Sequence, residues 1–287
     1  MHAKTHTARF TWQFGLIALA SILFLNVAQA ITLPDDPDPT PPPTTPGTSL
    51  PPVSSVEANG PFNAVQDRNT GPARSGWVVR PVNLGADGLK HPIFIWGPGG
   101  GTGPAEYDWF LDRLASHGFV VYSEVSTGEG TEMDRAIDWL LAENNRMGSP
   151  YYQKLDTSKI AAGGHSLGSI STFEIADDAR LTTTIHVAGG SFDGRGPNNL
   201  RKPALYIGGT EDFATSNMER DYRNTRVPVF FTILDGVDHI AATREGQPAI
   251  ISWLRWHIGG EAFRRDEFIR RFCTYCRGDW DSEYKNW

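Results

Sequence analysis

The stretch Ile160-Ala161-Ala162-Gly163-Gly164-His165-Ser166-Leu167-Gly168 constrains the fold more than any other part of this 287-residue chain. Its first residues read as a short buried strand. They run into a glycine-x-serine-x-glycine turn, and a helix-compatible segment follows. A serine on so sharp a bend between strand and helix carries its hydroxyl above the end of a sheet. Gly164 and Gly168 fit there because the bend leaves no room for larger side chains. The motif is short enough to arise by chance in a chain with 30 glycines, so its meaning rests on its surroundings.

Those surroundings alternate between strands and helices. Residues 75–82 read as an early strand, and His91-Pro92-Ile93-Phe94-Ile95-Trp96 as one buried on both faces. Residues 97–104 are a glycine-rich loop, whose backbone N–H groups can face a ligand without side chains in the way. Helical spacing of apolar residues follows over 105–117 and 131–147, with a strand at 119–122 between them. After Ser166 come a helix over 167–176, strands at 183–187, 204–207 and 227–234, and a helix around 216–223. The end reads as helical over 248–258 and 261–272, with a polar tail beyond. This order predicts an α/β fold, a mainly parallel sheet with helices on both sides. Ligands of such sheets bind beyond the carboxyl ends of the strands. Ser166, the 97–104 loop, Asp212 and His239 all follow expected strands, so they share one rim.

The chain divides into three parts. Residues 1–30 read as a signal peptide: basic Lys4 and Arg9, an apolar run over 15–27, and Ala28-Gln29-Ala30 as a cleavage site. Residues 31–58 are proline-rich and read as an extended spacer. Residues 59–287 suffice for one large domain. Removing the signal peptide takes the net charge from −7 to about −9. An acidic chain without a Lys/Arg block speaks against nucleic acid as a partner. The expected location is secreted or periplasmic, with no stable membrane insertion once the signal is cut. Cys273 and Cys276 are permitted to form a disulfide there, as a small loop of modest stabilising effect; two free thiols or an intermolecular link are the alternatives.

A serine hydroxyl needs a base to take its proton and an acid to hold that base in the right tautomer. His239 follows the strand Phe230-Phe231-Thr232-Ile233-Leu234 by a short turn and is the candidate base; His257, inside a helical segment, reads as structural. The turn after Ile207 offers Glu211 and Asp212, of which Asp212 is the candidate acid; Asp235 and Asp238 lie too close to His239 in sequence. The expected oxyanion donors are the N–H groups of Leu167, directly after the serine, and of Gly100 in the glycine loop. That loop lacks the Lys-Ser/Thr ending of a nucleotide-binding loop.

With these pieces in place a resemblance is plain. Pro98-Gly99, Trp109, Leu114-Ala115-Ser116-His117-Gly118-Phe119-Val120-Val121, Gly164-His165-Ser166-Leu167-Gly168, Ile207-Gly208 with Asp212, Leu234-Asp235 with His239, and Ile251-Ser252-Trp253 carry it. From Gly60 to Cys273 the chain resembles the bacterial cutinase and polyester-hydrolase (PET-hydrolase-like) branch of the α/β-hydrolases, related to dienelactone hydrolase. The resemblance implies an α/β-hydrolase fold and the same roles: Ser166 nucleophile, Asp212 acid, His239 base, Gly100 and Leu167 oxyanion donors. It also implies an aromatic residue where this chain has Gly100 and a clamping tryptophan where it has Gly190. The cleft, expected among Gly99, Gly101, Tyr107, Gly190, Phe192 and Phe213, thus lacks two aromatic walls that Tyr107, Phe192 or Phe213 could rebuild. Cys273 matches the first half of the family's terminal disulfide, and Cys276 comes too soon for the second.

The expectation is an exported serine hydrolase that cleaves carboxylic esters, small or polymeric, through an acyl-enzyme and without metal or cofactor. The alternatives are an amidase or peptidase with the same three residues, and a non-catalytic binding protein on the same fold.

Overall fold

A computed structural model describes residues 49–287. The proposed signal peptide and most of the spacer lie outside them. In chain order the elements are β1 (Ala64–Thr70), β2 (Gly76–Pro81), β3 (His91–Gly97), α1 (Asp108–Ser116), β4 (Val120–Ser123), α2 (Thr131–Asn145), β5 (Leu155–His165) and α3 (Leu167–Glu174). Then come β6 (Leu181–Val187), β7 (Ala204–Glu211), α4 (Thr215–Asn224), β8 (Val229–Asp238), the one-turn α5 (Ala242–Glu245), α6 (Gln247–His257) and β9 (Trp280–Lys285). The strands form one sheet in the order β1-β2-β4-β3-β5-β6-β7-β8-β9. The six strands β3 to β8 pair in parallel, and antiparallel pairings flank them at both edges. This is the mainly parallel, helix-flanked sheet expected of an α/β-hydrolase fold.

Both faces of the sheet are dry, which is why the parallel strands read as unbroken apolar runs. On β3, Phe94 and Trp96 face one way and join Phe110 and Leu114 of α1 and Trp253 and Leu254 of α6. Ile93 and Ile95 face the other way, against Met133, Ile137 and Leu140 of α2. Farther along that second face, Tyr206 and Phe231 meet Met218 and Tyr222 of α4. Each such fully buried side chain contributes roughly 1.5–3 kcal/mol.

Three expectations need correction. Residues 261–272, read as a helix, instead make a 3-10 turn over Ala262–Glu267 and irregular backbone. There Arg264 reaches Glu261 and Glu267, and Arg255 reaches Glu261, so tertiary ion pairs set the backbone path. The polar tail contributes β9, which pairs Trp280–Lys285 with β8 and covers that edge. Residues 49–58, assigned to the spacer, lie on the body: Leu50 and Val56 are buried in its core, and the Leu50 N–H donates to the Gly259 carbonyl at 3.0 Å. Cys273 and Cys276 are joined by a disulfide. No helix of the described residues is long and apolar enough to cross a membrane.

Candidate active site

The site is built at the C-terminal ends of β3, β5, β7 and β8. At the end of β5 the chain turns through Ser166 with φ 53° and ψ −113°, and α3 begins at once. A non-glycine residue there is strained, and the surroundings hold it. The Ser166 N–H donates to the Val187 carbonyl at 2.9 Å. A Cβ on Gly164 would lie 2.2 Å from the Gly168 carbonyl carbon, and one on Gly168 would lie 2.0 Å from the Gly97 carbonyl oxygen. Both glycines are therefore fixed by backbone packed against backbone.

His239 follows β8 and joins two residues. Its Nδ1 is 2.7 Å from Asp212 Oδ1, and its Nε2 is 2.9 Å from Ser166 Oγ. A carboxylate only accepts, so Nδ1 carries the proton and Nε2 keeps the lone pair that takes the Ser166 hydroxyl. The Asp212 side chain is fully buried, and its Oδ1 also accepts the Ala214 N–H at 2.9 Å. Neighbouring acids are occupied elsewhere. Asp238 Oδ1 accepts the N–H groups of Ile240 and Ala241, and Glu211 is exposed. Phe213 stacks on the His239 ring with centroids 4.2 Å apart while remaining 79% exposed. His257 is half-buried between Trp253 and Trp256, away from this site.

Gly100 and Leu167 lie side by side across the serine. A Cβ on Gly100 would come within 3.7 Å of the Leu167 side chain. No acceptor among the described residues takes the backbone N–H of either residue. Two unengaged donors beside a serine hydroxyl are what a developing oxyanion requires.

An open cleft of about 500 Å³ lies above Ser166 and His239, and Trp109, Tyr107, Ile240 and Arg244 are among its walls. Of the expected cleft residues, Gly99, Gly100 and Tyr107 line it. Gly101, Gly190 and Phe192 lie outside it, and Phe213 stands at its border, stacked on His239. Gly190 is buried against α4, where its Cβ would sit 2.6 Å from the Asn217 carbonyl carbon. Phe192 is exposed beyond it, on a loop that Ser191 ties to Asp221 of α4. Arg244, whose guanidinium lies over the Trp109 ring at 4.8 Å, and exposed Ile240 carried no signal in the sequence. His165 stood inside the serine motif without an assigned role. It is buried, and desolvation lowers its pKa to about 4.

Comparison with known proteins gives a consistent result. A family model described as PET hydrolase-like matches residues 43–272. Cutinase 2 of Thermobifida cellulosilytica is 24% identical over 196 residues, covering 64% of this chain and 73% of the relative. Cutinase cut1 of Thermobifida fusca is 24% identical over 196 residues, and the match spans 60% of that protein. Cutinase est1 of Thermobifida alba is 25% identical over 134 residues, 44% of each chain.

Proposed function

The chain belongs to the PET hydrolase-like family, and we propose that it is an exported serine hydrolase that cleaves carboxylic esters. His239 takes the Ser166 proton as Oγ attacks the ester carbonyl. Asp212 holds the imidazole in the required tautomer and stabilises its charged form. The N–H groups of Gly100 and Leu167 receive the oxyanion. The alcohol leaves with the proton from His239, and water, activated by the same histidine, releases the acid. No step calls for a metal or cofactor.

The observation that carries this reading is the two-sided engagement of His239, 2.9 Å from Ser166 Oγ and 2.7 Å from Asp212 Oδ1. The substrate cleft differs from the one the resemblance implies. Gly100 supplies no wall, and Tyr107, Trp109 and Ile240 supply the apolar ones. Export is supported by the residue pattern of 1–30 and by the Cys273–Cys276 disulfide, a bond kept in oxidising compartments.

The test is turnover of p-nitrophenyl acyl esters and the matching anilides. The native chain hydrolyses the esters, and a fluorophosphonate labels Ser166. Ser166→Ala removes both while leaving the thermal transition in place. Turnover that survives Ser166→Ala would refute the assignment. Anilide cleavage as fast as ester cleavage would make the protein an amidase. A folded native chain that neither turns over nor labels would be a binding protein.

A further inference from the structure

Tyr107 and His165 form a buried link that the acyl-transfer chemistry does not use. The Gly99 N–H donates to the Tyr107 hydroxyl oxygen at 3.0 Å. That hydroxyl lies 2.8 Å from His165 Nδ1, and His165 Nε2 lies 2.8 Å from the backbone carbonyl of His239. Both side chains are buried, Tyr107 at 7% exposure and His165 at 3%.

The polarity of every bond in this link is fixed. A carbonyl only accepts, so His165 Nε2 carries the ring proton. Burial keeps the imidazole neutral, so Nδ1 has a lone pair and accepts the Tyr107 O–H. The phenol oxygen in turn accepts from Gly99. The link therefore runs without a break from the Pro98–Gly99 peptide to the backbone of His239. It passes beneath Ser166, since His165 is the residue immediately before the serine. It also requires glycine at position 99, because a Cβ there would lie 2.7 Å from His165 Nδ1 and 3.1 Å from the Tyr107 hydroxyl.

The other side of the same loop is held as firmly. The Gly99 carbonyl accepts from the Thr102 hydroxyl at 2.7 Å and the Thr102 N–H at 3.1 Å. The Pro98 carbonyl accepts from Ser126 Oγ at 2.8 Å. A planar trans peptide points its C=O and N–H in opposite directions. With the Gly99 carbonyl turned to Thr102, the Gly100 N–H is aimed away from Thr102.

We propose that Tyr107 and His165 are positioning residues, which hold the Gly100 oxyanion donor and the base His239 in a fixed relation on either side of Ser166. Neither touches the reacting atoms, and the inference rests on the ester-hydrolase reading above. Loss of the link frees the N–H side of the Pro98–Gly99 peptide, and the Gly99–Gly100 peptide that follows it shifts with it. The donor is then displaced rather than deleted. Removing an oxyanion donor outright costs 10²–10³ in kcat.

Tyr107→Phe keeps the ring and removes the hydroxyl. It should lower kcat on a p-nitrophenyl ester by about 10–100-fold, less than full donor loss, with KM within about twofold. It should weaken a trifluoromethyl ketone, whose tetrahedral adduct places an oxyanion at the same donors, by the same factor. His165→Asn should lower kcat as well. Adding it to Tyr107→Phe should cost little more, because residues of one hydrogen-bonded link are not additive. Thr102→Val removes the hydroxyl that holds the Gly99 carbonyl and so loosens the next peptide, Gly99–Gly100, directly. It decides the matter if Tyr107→Phe does not fold. Unchanged kcat in a folded Tyr107→Phe protein, or a loss confined to KM with ketone affinity intact, would overturn the proposal while leaving the ester-hydrolase reading in place. A native chain without ester turnover or Ser166 labelling would sink that reading first.

Discussion

Two glycines that look equivalent in the sequence behave oppositely in the fold. Gly100 borders the cleft with only ordinary contacts around its missing Cβ, the nearest at 3.7 Å. Gly190 packs on the backbone of α4, with contacts of 2.6 and 2.7 Å to a Cβ that is not there. Gly100→Phe should therefore fold normally and rebuild one wall of the cleft. The expected effect is a severalfold rise in kcat/KM for aromatic acyl esters relative to aliphatic ones, read from a paired substrate panel. Gly190→Ala should instead destabilise, by about 1–3 kcal/mol or more as overpacking typically does, seen as a lower denaturant midpoint at unchanged slope. Equal stability of the two variants would contradict this contrast. Single residues of the site were legible where an apolar strand announces them. Ser166, Asp212 and His239 each follow one, and strand ends in a parallel sheet share a rim. The surroundings of Gly190 were not legible, because the approach of α4 is a tertiary fact with no local signal. The role of His165 was hidden for a similar reason, since its partner Tyr107 lies 58 positions away in the chain.

At the scale of elements, the sequence displays what is buried on both faces and conceals what is not. Strands β3 to β8 and helices α1, α2, α3 and α6 carry their own apolar periods. The edge strands β1 (AVQDRNT) and β9 (WDSEYK) are largely polar and present no such run. The segment from Ser49 to Ala58 misled for the converse reason, because its prolines read as a spacer while its few apolar residues do the packing. Arg255 donates to the Pro51 carbonyl at 2.5 Å and to the His117 carbonyl at 2.9 Å. The Val53 N–H donates to Glu261 at 2.9 Å, and Arg264 donates to the Val53 carbonyl at 2.9 Å. A chain that begins at Gly60 exposes the core beneath Leu50 and Val56 and leaves buried Arg255 short of an acceptor. The hydrophobic loss alone is about 3 kcal/mol or more, at roughly 1.5–3 kcal/mol per side chain. For a domain of this size that corresponds to a fall in melting temperature on the order of 10 °C. Scanning calorimetry of chains starting at Ser49 and at Gly60 checks this, and matching transitions would return the segment to the spacer.

The molecule as a whole buries histidines that the chemistry of the cleft does not need. His186 stacks on Phe173 at 3.8 Å, and its Nδ1 lies 3.1 Å from Ser169 Oγ. His117 meets the Ala58 carbonyl through Nε2 at 3.0 Å, and His257 lies between two tryptophans. Desolvation lowers all three, His117 to about 4 and His186 and His257 to about 3, and it lowers His165 to about 4. In the unfolded chain each titrates near its ordinary value of 6.5. Between these values the unfolded state binds more protons than the folded one, so stability rises with pH in that window. The contribution is fully present above pH 6.5 and is lost progressively as the pH falls toward 4 and then 3. Burial pushes the Asp221 carboxyl up, which opposes the trend. Burial lowers His91 on β3 in the same direction as the other four histidines, so it is one group against five. Each histidine costs on the order of 1 kcal/mol per pH unit inside the window, and a whole domain has only about 5–15 kcal/mol to lose. The expected outcome is acid unfolding that begins well above the ordinary carboxylate range. Guanidinium melts at pH 7, 6 and 5 should show the midpoint falling at each step, with the unfolding free energy dropping by several kcal/mol in all. Replacing His186 with a neutral residue should flatten that slope by about one proton. A midpoint that does not move between pH 7 and 5 would mean that these rings take up protons without unfolding the chain, and so are not sealed in the core as their contacts require.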